Sequence, residues 1–276
     1  MQAEVWLLEL DETPGAAFPA GLDTTVLDAR ERERAAAFVR PADRTLYTAA
    51  HIALRTVLGG LLGERPGDLA FTREPCPCCG LAHGRPALAV PGGDLSVPPP
   101  LHFSLSHTRG MVLIATAPVP VGADVELRPA PETVADVLSV LHPRERADVE
   151  AEEEPGRRAA AFGRIWARKE AYLKGLGTGL GRAAHLDDLG GDGDVGDGGE
   201  GGHGRHPEGW TVYDLPCGPA HHAAVALRSP RATTRPPALH HLSPEALGDG
   251  AVRGGAVPGG AVPGVAVPGG AAPSRA

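Results

Sequence analysis

The fold of this chain is decided by two stretches about forty residues apart, Val121-Gly122-Ala123-Asp124-Val125-Glu126 and Trp166-Ala167-Arg168-Lys169-Glu170-Ala171-Tyr172-Leu173-Lys174. The first has the pattern of a strand, in which side chains alternate between two faces, so Asp124 and Glu126 share a face. The second has the spacing of a helix, on which Glu170 and Lys174 at i and i+4 share a face. Three carboxylates and a lysine that converge suit the binding of a hard divalent cation against phosphate oxygens.

The segments around these two stretches predict an α+β protein. Hydrophobic spacing favours a long helix from Pro41 to Leu61 and a second one from Phe162 to Leu176. Further elements are a short charged helix at 28–38, helical spacing at 131–141, and strands at 4–10, 119–127, 210–215 and 222–227. We expect residues 101–105 and 111–117 to form a hairpin whose turn contains Ser106 and His107.

The composition describes a protein of 276 residues with 42% hydrophobic residues and a formal charge of −8. That charge argues against general nucleic-acid binding. The first residues do not resemble a signal peptide, and no stretch is long and apolar enough to span a membrane. We therefore expect a soluble, cytoplasmic protein that uses neither nucleic acid nor a membrane as a partner.

Glycine and proline are concentrated in two regions of the chain. Residues 190–208 are rich in Gly and Asp and predict a flexible insertion in a loop. Hydrophobic periodicity is lost after Arg228, and Gly-Ala-Val-Pro repeats begin at Gly254. Residues 231–276 are therefore expected to form a disordered, low-complexity tail.

The two opening stretches resemble the signatures of the 4′-phosphopantetheinyl transferases, specifically the surfactin-synthetase-activating type. That family has a G-(I/V/A)-D-(I/V)-E strand, followed some forty residues later by a W-(S/A/T)-x-K-E-(A/S)-x-x-K helix. Upstream, Phe103-Ser104-Leu105-Ser106-His107-Thr108 is similar to the family's N-(I/L)-S-H-(S/T) segment, with Ser104 where Asn is common. The likeness covers roughly residues 30–230.

The resemblance implies two similar lobes in a pseudo-twofold arrangement, one at 1–118 and one at 119–230, in a monomer. The implied reaction moves the 4′-phosphopantetheine arm of coenzyme A to a serine of an apo peptidyl or acyl carrier protein and releases 3′,5′-ADP. Mg²⁺ is the expected ion, with Asp124, Glu126 and Glu170 as its ligands. Glu170 would accept the serine proton, and Lys174 would neutralise the leaving phosphate.

The same resemblance implies contacts to coenzyme A. Ser106 and His107 are expected to contact its phosphates, and Lys169 and Lys174 to face the same cleft. Arg85 matches a G-(K/R)-P element that contacts coenzyme A in the family. The cation for the 3′-phosphate is left open among arginines at the start of the chain, with Arg34 and Arg40 preferred over Arg30 and Arg32.

Several alternatives stay open from the sequence. The carboxylates could serve an Mg²⁺-dependent coenzyme A phosphohydrolase, or the chain could be a non-catalytic binder of coenzyme A or a carrier. Cys76, Cys79 and His83 could bind zinc in an interaction module, with Cys78 or Cys217 as a strained fourth ligand. The competing interpretation of that segment is a plain loop before Gly84-Arg85-Pro86.

Overall fold

The computed structural model describes residues 3–10, 22–89, 101–191, 206–229 and 236–247. These residues form a mixed α and β protein, as the sequence predicts. The strands are β1 (Glu4–Glu9), β2 (Phe71–Arg73), β3 (Pro86–Leu88), β4 (His102–Thr108), β5 (Met111–Ala117), β6 (Val121–Leu127), β7 (Trp210–Leu215), β8 (His221–Arg228) and β9 (Ala238–Leu242). The helices are α1 (Ala29–Ala36), α2 (Pro41–Leu62), α3 (Pro131–Val137), α4 (Pro143–Glu150) and α5 (Pro155–Leu176). Among the described residues, no helix is both long and apolar enough to cross a membrane.

A four-stranded sheet in the order β4-β5-β1-β9 carries the long helix α2. Strands β4 and β5 form the predicted hairpin, and β1 pairs antiparallel with β5. Helix α2 buries an apolar face that includes Ile52, Ala53, Val57 and Leu58 in one core with Trp6. It ends at Gly63, whose φ of 69° is in the left-handed region that favours glycine.

A three-stranded antiparallel sheet in the order β6-β8-β7 carries the second long helix, α5. Helix and sheet approach so closely that a Cβ on Gly122 of β6 would lie 1.9 Å from the carbonyl oxygen of Ala171 and 2.3 Å from the backbone nitrogen of Gly175. The absence of a side chain at Gly122 therefore lets the two backbones meet. This contact sets the position, against β6, of the helix that carries Glu170 and Lys174.

Hydroxyl groups of β4 bond directly to the backbone of β6. The Ser104 hydroxyl accepts from the Ala123 amide at 2.9 Å, and the Ser106 hydroxyl accepts from the Val125 amide at 3.3 Å. Because β4 belongs to the four-stranded sheet and β6 to the three-stranded one, these bonds join the two sheets. They bring β4 against the strand that carries the carboxylates.

The structure corrects two expectations about local structure. Ser106 and His107 lie within β4 rather than in a turn, since β4 continues to Thr108. Helix α5 begins at Pro155, seven residues before the predicted start, and the Glu154 carboxylate accepts from the Gly156 and Arg157 amides at its first turn. The predicted insertion at 190–208 falls mainly on 192–205, outside the described residues.

The expected tail at 231–276 is wrong for residues 238–247. Strand β9 pairs parallel with β1, and its His240 ring stacks on Trp6 with centroids 5.3 Å apart. Leu247 follows in a short 3-10 helix and is 1% exposed in the core beneath α2. The few apolar residues of this segment suffice because they complete an existing core instead of building a new one. The repeats from Gly254 onward lie outside the described residues.

Candidate functional site

Asp124 is the centre of a buried polar cluster between β4, β6 and α5. Its side chain is almost fully buried, and its Oδ1 accepts from the Ser106 hydroxyl at 2.9 Å and from the Lys174 ammonium at 2.5 Å. Lys174 also donates to the Ser106 hydroxyl at 2.9 Å. The other oxygen, Asp124 Oδ2, is buried and has no hydrogen-bond partner among the described residues. A buried carboxylate oxygen without a partner is costly, so this atom is placed to accept an additional donor or a cation.

Glu126 and Glu170 lie close enough to Asp124 for its charge to act on both. Burial, together with the charges of Asp124 and Glu170, raises the pKa of Glu126 to about 7, although Lys174 and a hydrogen bond with Trp166 oppose the rise. Burial and the Asp124 charge also raise the pKa of Glu170. A cation bound among these carboxylates would relieve the repulsion that acts on Glu126 and Glu170.

This cluster fits a hard divalent cation by its chemistry, with oxygen donors only and one buried oxygen unpartnered. Its carboxylates are nevertheless more widely spaced than those of a closed metal cage. Within the part of the chain that the structure describes, the group of three ligand side chains whose donor atoms lie within 4.8 Å of one another is Cys76, Cys79 and His83. In the present arrangement Lys174 is the cation in contact with Asp124.

A cleft of about 820 Å³ opens beside this cluster. It lies between α1, α2, β2, β3 and β4, and Ser106 and Lys174 belong to both the cleft and the cluster. Its cationic side chains are Arg30, Arg34, Arg73 and Lys174, and its aromatic ones are Tyr47, Phe71 and Phe103. Such a lining suits a polyanion that also carries an aromatic ring.

The two acidic residues of the cleft, Asp28 and Glu31, are neutralised from behind by Arg55. The fully buried Arg55 guanidinium donates to Glu31 Oε2 at 2.7 Å and to Asp28 Oδ2 at 3.0 Å. It also donates to the carbonyl oxygens of Pro66 and Leu69. The acidic pair therefore anchors the start of α1 to α2, with Arg55 rather than a cation of the cleft as its partner.

His107 lies in the cleft as a neutral side chain. Burial, together with the neighbouring His51 and Lys174, lowers its pKa to about 4. Its ring makes an edge contact with Tyr47, whose ring in turn packs at a tilt of 30° against His51 with centroids 4.1 Å apart. His107 can therefore offer a neutral hydrogen bond to a ligand rather than a positive charge.

Of the five candidate coenzyme-contacting arginines and lysines, the structure brings only two to the cleft. Arg34 and Lys174 line it. Arg40 is exposed at the residue before α2 and is absent from the cleft lining. Arg85 donates to Glu74 Oε2 through Nε at 2.9 Å and to the Gly175 carbonyl through Nη1 at 2.8 Å, so its guanidinium links the β2–β3 loop to the end of α5.

Lys169 does not face the cleft as the resemblance implied. Its buried ammonium contacts Glu145 Oε2 at 2.8 Å and donates to the carbonyls of Ala184 at 2.7 Å and Asp187 at 2.6 Å. A lysine with three oxygen partners on the far side of α5 ties that helix to α4 and the following loop. This placement removes Lys169 from the coenzyme-contacting set.

Sequence reasoning missed two cleft residues, Arg73 and His51. Arg73 ends β2 and is held by a bond from its Nη1 to the Gly84 carbonyl at 3.0 Å. His51 lies on α2 and contacts Glu31 Oε1 through Nδ1 at 3.0 Å. Arg73 could have been identified only by predicting that β2 pairs with β3. That pairing places Arg73 opposite Pro86, next to the loop that holds Gly84-Arg85-Pro86. The signal for His51 was its helical spacing from Tyr47 at i+4.

Comparisons with known proteins converge on one family. A family model described as the 4′-phosphopantetheinyl transferase superfamily matches residues 120–211. The 4′-phosphopantetheinyl transferase HetI of a Nostoc species is 29% identical over 188 residues, which cover 67% of this chain and 73% of that protein. The 4′-phosphopantetheinyl transferase AcpT of Salmonella typhi is 36% identical over 153 residues, which cover 55% of this chain and 70% of that protein.

A 4′-phosphopantetheinyl transferase of Bacillus subtilis is more distantly similar. It is 27% identical over 154 residues, covering 56% of this chain and 62% of that protein. The chain thus spans between about three fifths and three quarters of the length of these three relatives.

Proposed function

Since the chain belongs to the 4′-phosphopantetheinyl transferase superfamily, we propose that it transfers the 4′-phosphopantetheine arm of coenzyme A to a serine of an apo carrier protein. One observation carries the proposal. Lys174 lines the basic, aromatic cleft and also contacts Asp124, so the carboxylate cluster opens directly onto a cleft suited to a nucleotide polyphosphate.

Coenzyme A matches the lining of this cleft by charge and shape. Its adenine ring would pack among Tyr47, Phe71 and Phe103, and its phosphates would face Arg30, Arg34, Arg73 and Lys174. Ser106 and neutral His107 would add hydrogen bonds to phosphate oxygens. For the 3′-phosphate we favour Arg34 over Arg40, because Arg34 lines the cleft.

Asp124, Glu126 and Glu170 are the proposed ligands of Mg²⁺. Asp124 Oδ2 supports this assignment, because it is buried and unpartnered. When bound, Mg²⁺ would neutralise charge on the coenzyme A diphosphate.

Glu170 is the proposed general base. Burial and the Asp124 charge raise its pKa, which makes it a better proton acceptor than an ordinary glutamate. The serine oxygen forms a bond to the phosphorus of the phosphopantetheine arm as the bond from that phosphorus to the bridging oxygen breaks. The serine proton passes to Glu170, and 3′,5′-ADP leaves with the bridging oxygen. Lys174 stabilises the charge that develops on that phosphate.

The finer parts of the assignment are proposals as well. The two sheets, each carrying one helix of 22 residues, support two lobes related by a pseudo-twofold axis. We propose a cytoplasmic monomer of the surfactin-synthetase-activating type, acting on peptidyl or acyl carrier proteins. The direct bonds between β4 and β6 support a cleft built within one chain.

Intact-mass measurement of a carrier tests the reaction. The full chain is incubated with coenzyme A, Mg²⁺ and an apo peptidyl carrier domain, and the carrier should gain one phosphopantetheine arm. EDTA and Glu170→Gln should each abolish the gain. Glu153→Gln is the matched control, because Glu153 is an exposed carboxylate before α5 and should leave the rate unchanged.

Two outcomes would contradict the proposal. Coenzyme A consumption at the same rate without any carrier would indicate a phosphohydrolase. Binding of coenzyme A with no transfer to peptidyl or acyl carriers would indicate a non-catalytic binder.

A further inference from the structure

The loop between β2 and β3 gathers two cysteines and a histidine at a distance from the carboxylate cluster. The donor atoms of Cys76, Cys79 and His83 lie within 4.8 Å of one another, and Cys79 Sγ lies 2.9 Å from His83 Nε2. Cys76 is buried, whereas Cys79 and His83 are exposed. A cation could therefore reach the three donors from solvent.

The backbone of the loop is folded to bring these residues together. The Gly80 amide donates to the Cys76 carbonyl at 2.8 Å, and the Cys76 amide donates to the Leu81 carbonyl at 2.7 Å. Gly80 turns the chain with a φ of 74°, which favours glycine. The backbone amides of Cys78 and Cys79 donate to the Cys76 sulfur. Amide donors of this kind stabilise a thiolate, the form that binds metal.

We propose that Cys76, Cys79 and His83 bind one Zn²⁺ ion through two sulfurs and one imidazole nitrogen, with water in the fourth position. Two soft thiolates and an imidazole in a Cys-x2-Cys-x3-His segment are a donor set that favours zinc over magnesium or calcium. Binding replaces the thiol protons by the metal, and those protons pass to solvent.

The present spacing needs little change to accept the ion. Zinc–sulfur bonds of about 2.3 Å and zinc–nitrogen bonds of about 2.0 Å at a tetrahedral angle separate the two donors by about 3.6 Å. Cys79 Sγ and His83 Nε2 would move apart by less than about 1 Å, which side-chain rotation in an exposed loop allows.

Neither of the other two cysteines belongs to this set. Cys217 packs in the core beside β1 and β8, where burial raises the pKa of its thiol to about 11. Cys78 is exposed next to the site, and its side chain is not part of the group whose donor atoms lie within 4.8 Å of one another. Cys78 therefore serves as a matched control one residue from a proposed ligand.

The ion would fix a loop that touches both the cleft and the catalytic helix. Ala82 and Pro86 line the cleft, and Arg85 bonds to the Gly175 carbonyl at the end of α5. A Cβ on Gly84 would lie 2.6 Å from the Glu74 carbonyl oxygen, so the backbone that follows the metal site packs closely against the backbone at Glu74. The metal site itself stands independently of the proposed transfer reaction.

Metal analysis of the full chain tests this inference without an activity assay. Zinc is measured by mass spectrometry after purification and again after zinc is added and excess is removed, and Co²⁺ replacement is followed by thiolate-to-metal absorption. We expect one zinc per chain for the wild type and for Cys78→Ser. We expect less than about a tenth of that for Cys79→Ser and for His83→Gln, which alter exposed side chains.

Three results would overturn the inference. Wild type that binds zinc no more tightly than Cys79→Ser in competition with a chromogenic chelator would exclude the site. Equal loss of zinc in Cys78→Ser would exclude this ligand set. A Cys76–Cys79 disulfide found by peptide mass mapping in protein purified without reductant would replace the metal with a covalent bond. Each result is independent of whether a carrier is modified.

Discussion

Lys174 belongs both to the carboxylate cluster and to the lining of the cleft, and it places a positive charge between them. Replacing it by methionine in Lys174→Met removes the cation from Asp124 and from the proposed phosphate path. We expect kcat/KM for coenzyme A to fall about 100-fold, the magnitude typical for loss of one transition-state charge contact. Carrier modification at varied coenzyme A concentration measures it. A fall of less than about threefold would contradict the role given to Lys174.

Lys169 lies five residues earlier on the same helix and should behave in the opposite way. Lys169→Met leaves the fully buried Glu145 carboxylate without its cation, although the Leu189 and His142 amides still donate to it. Breaking a buried ion pair from one side costs about 3–5 kcal/mol of unfolding free energy. Urea denaturation measures that loss, and the kcat of the folded fraction should stay within about threefold. A large fall in kcat with unchanged stability would contradict this structural role and indicate that Lys169 acts in the active site.

The difference between these lysines shows what could be predicted residue by residue. Glu170 and Lys174 share a face because four residues span about one helical turn. The i,i+4 spacing in the sequence was therefore sufficient to predict that both side chains lie on the same side of the helix. Lys169 was assigned to the cleft by family resemblance alone. Five residues rotate a helix by about 500°, which places Lys169 about 140° away from Lys174. Its actual partners are Glu145, Ala184 and Asp187, which lie before and after the motif.

Helix α5 reaches the carboxylates because glycine lies where it crosses β6. Gly122→Ala would force a Cβ to within 1.9 Å of the Ala171 carbonyl, so helix and strand must separate. We expect a loss of about 1–3 kcal/mol in unfolding free energy, as for an overpacked core, together with a fall in transfer rate because Glu170 moves away from Asp124. Urea denaturation and carrier modification measure the two effects.

Gly67→Ala is the control for that substitution. A Cβ there would meet Val26 at an ordinary 3.6 Å, and Gly67 lies in a short 3-10 helix away from α5. Stability and rate should both stay near the wild-type values. If Gly122→Ala matched this control, the close approach of β6 and α5 would not determine the geometry of the site.

Element boundaries followed the hydrophobic pattern where large apolar residues mark them. Helix α2 was predicted within one residue at its end because apolar side chains recur throughout it and glycines follow. The first turns of α5 carry arginines and alanines, so they lack the apolar stripe from which a helix is predicted. The Glu154 side chain that caps this helix was also overlooked. The strand character of Ser106 and His107 was missed because polar residues near a hairpin also favour turns.

At the scale of the whole molecule, strand β9 pairs with β1, the first strand of the chain. The pairing of β9 with β1 could not be read from the sequence, because the segment is short and its apolar residues show no clear period. A parallel partner more than two hundred residues away adds no local signal. Leu242 and Leu247 become interpretable only once the core beneath α2 is known.

Truncation at two positions tests this closure of the fold. A chain that ends at Ser229 loses β9, the contact of His240 with Trp6 and Glu4, and the buried Leu247. Burial of one leucine contributes about 1.5–3 kcal/mol, so we expect unfolding free energy to fall by at least about 3 kcal/mol and β1 to become an open edge prone to association. A chain that ends at Leu247 keeps every contact described above and should match the full chain in urea denaturation. If the two truncated chains were equally stable, β9 would not belong to the cooperative fold, and residues 238–247 would behave as the tail that composition alone suggested.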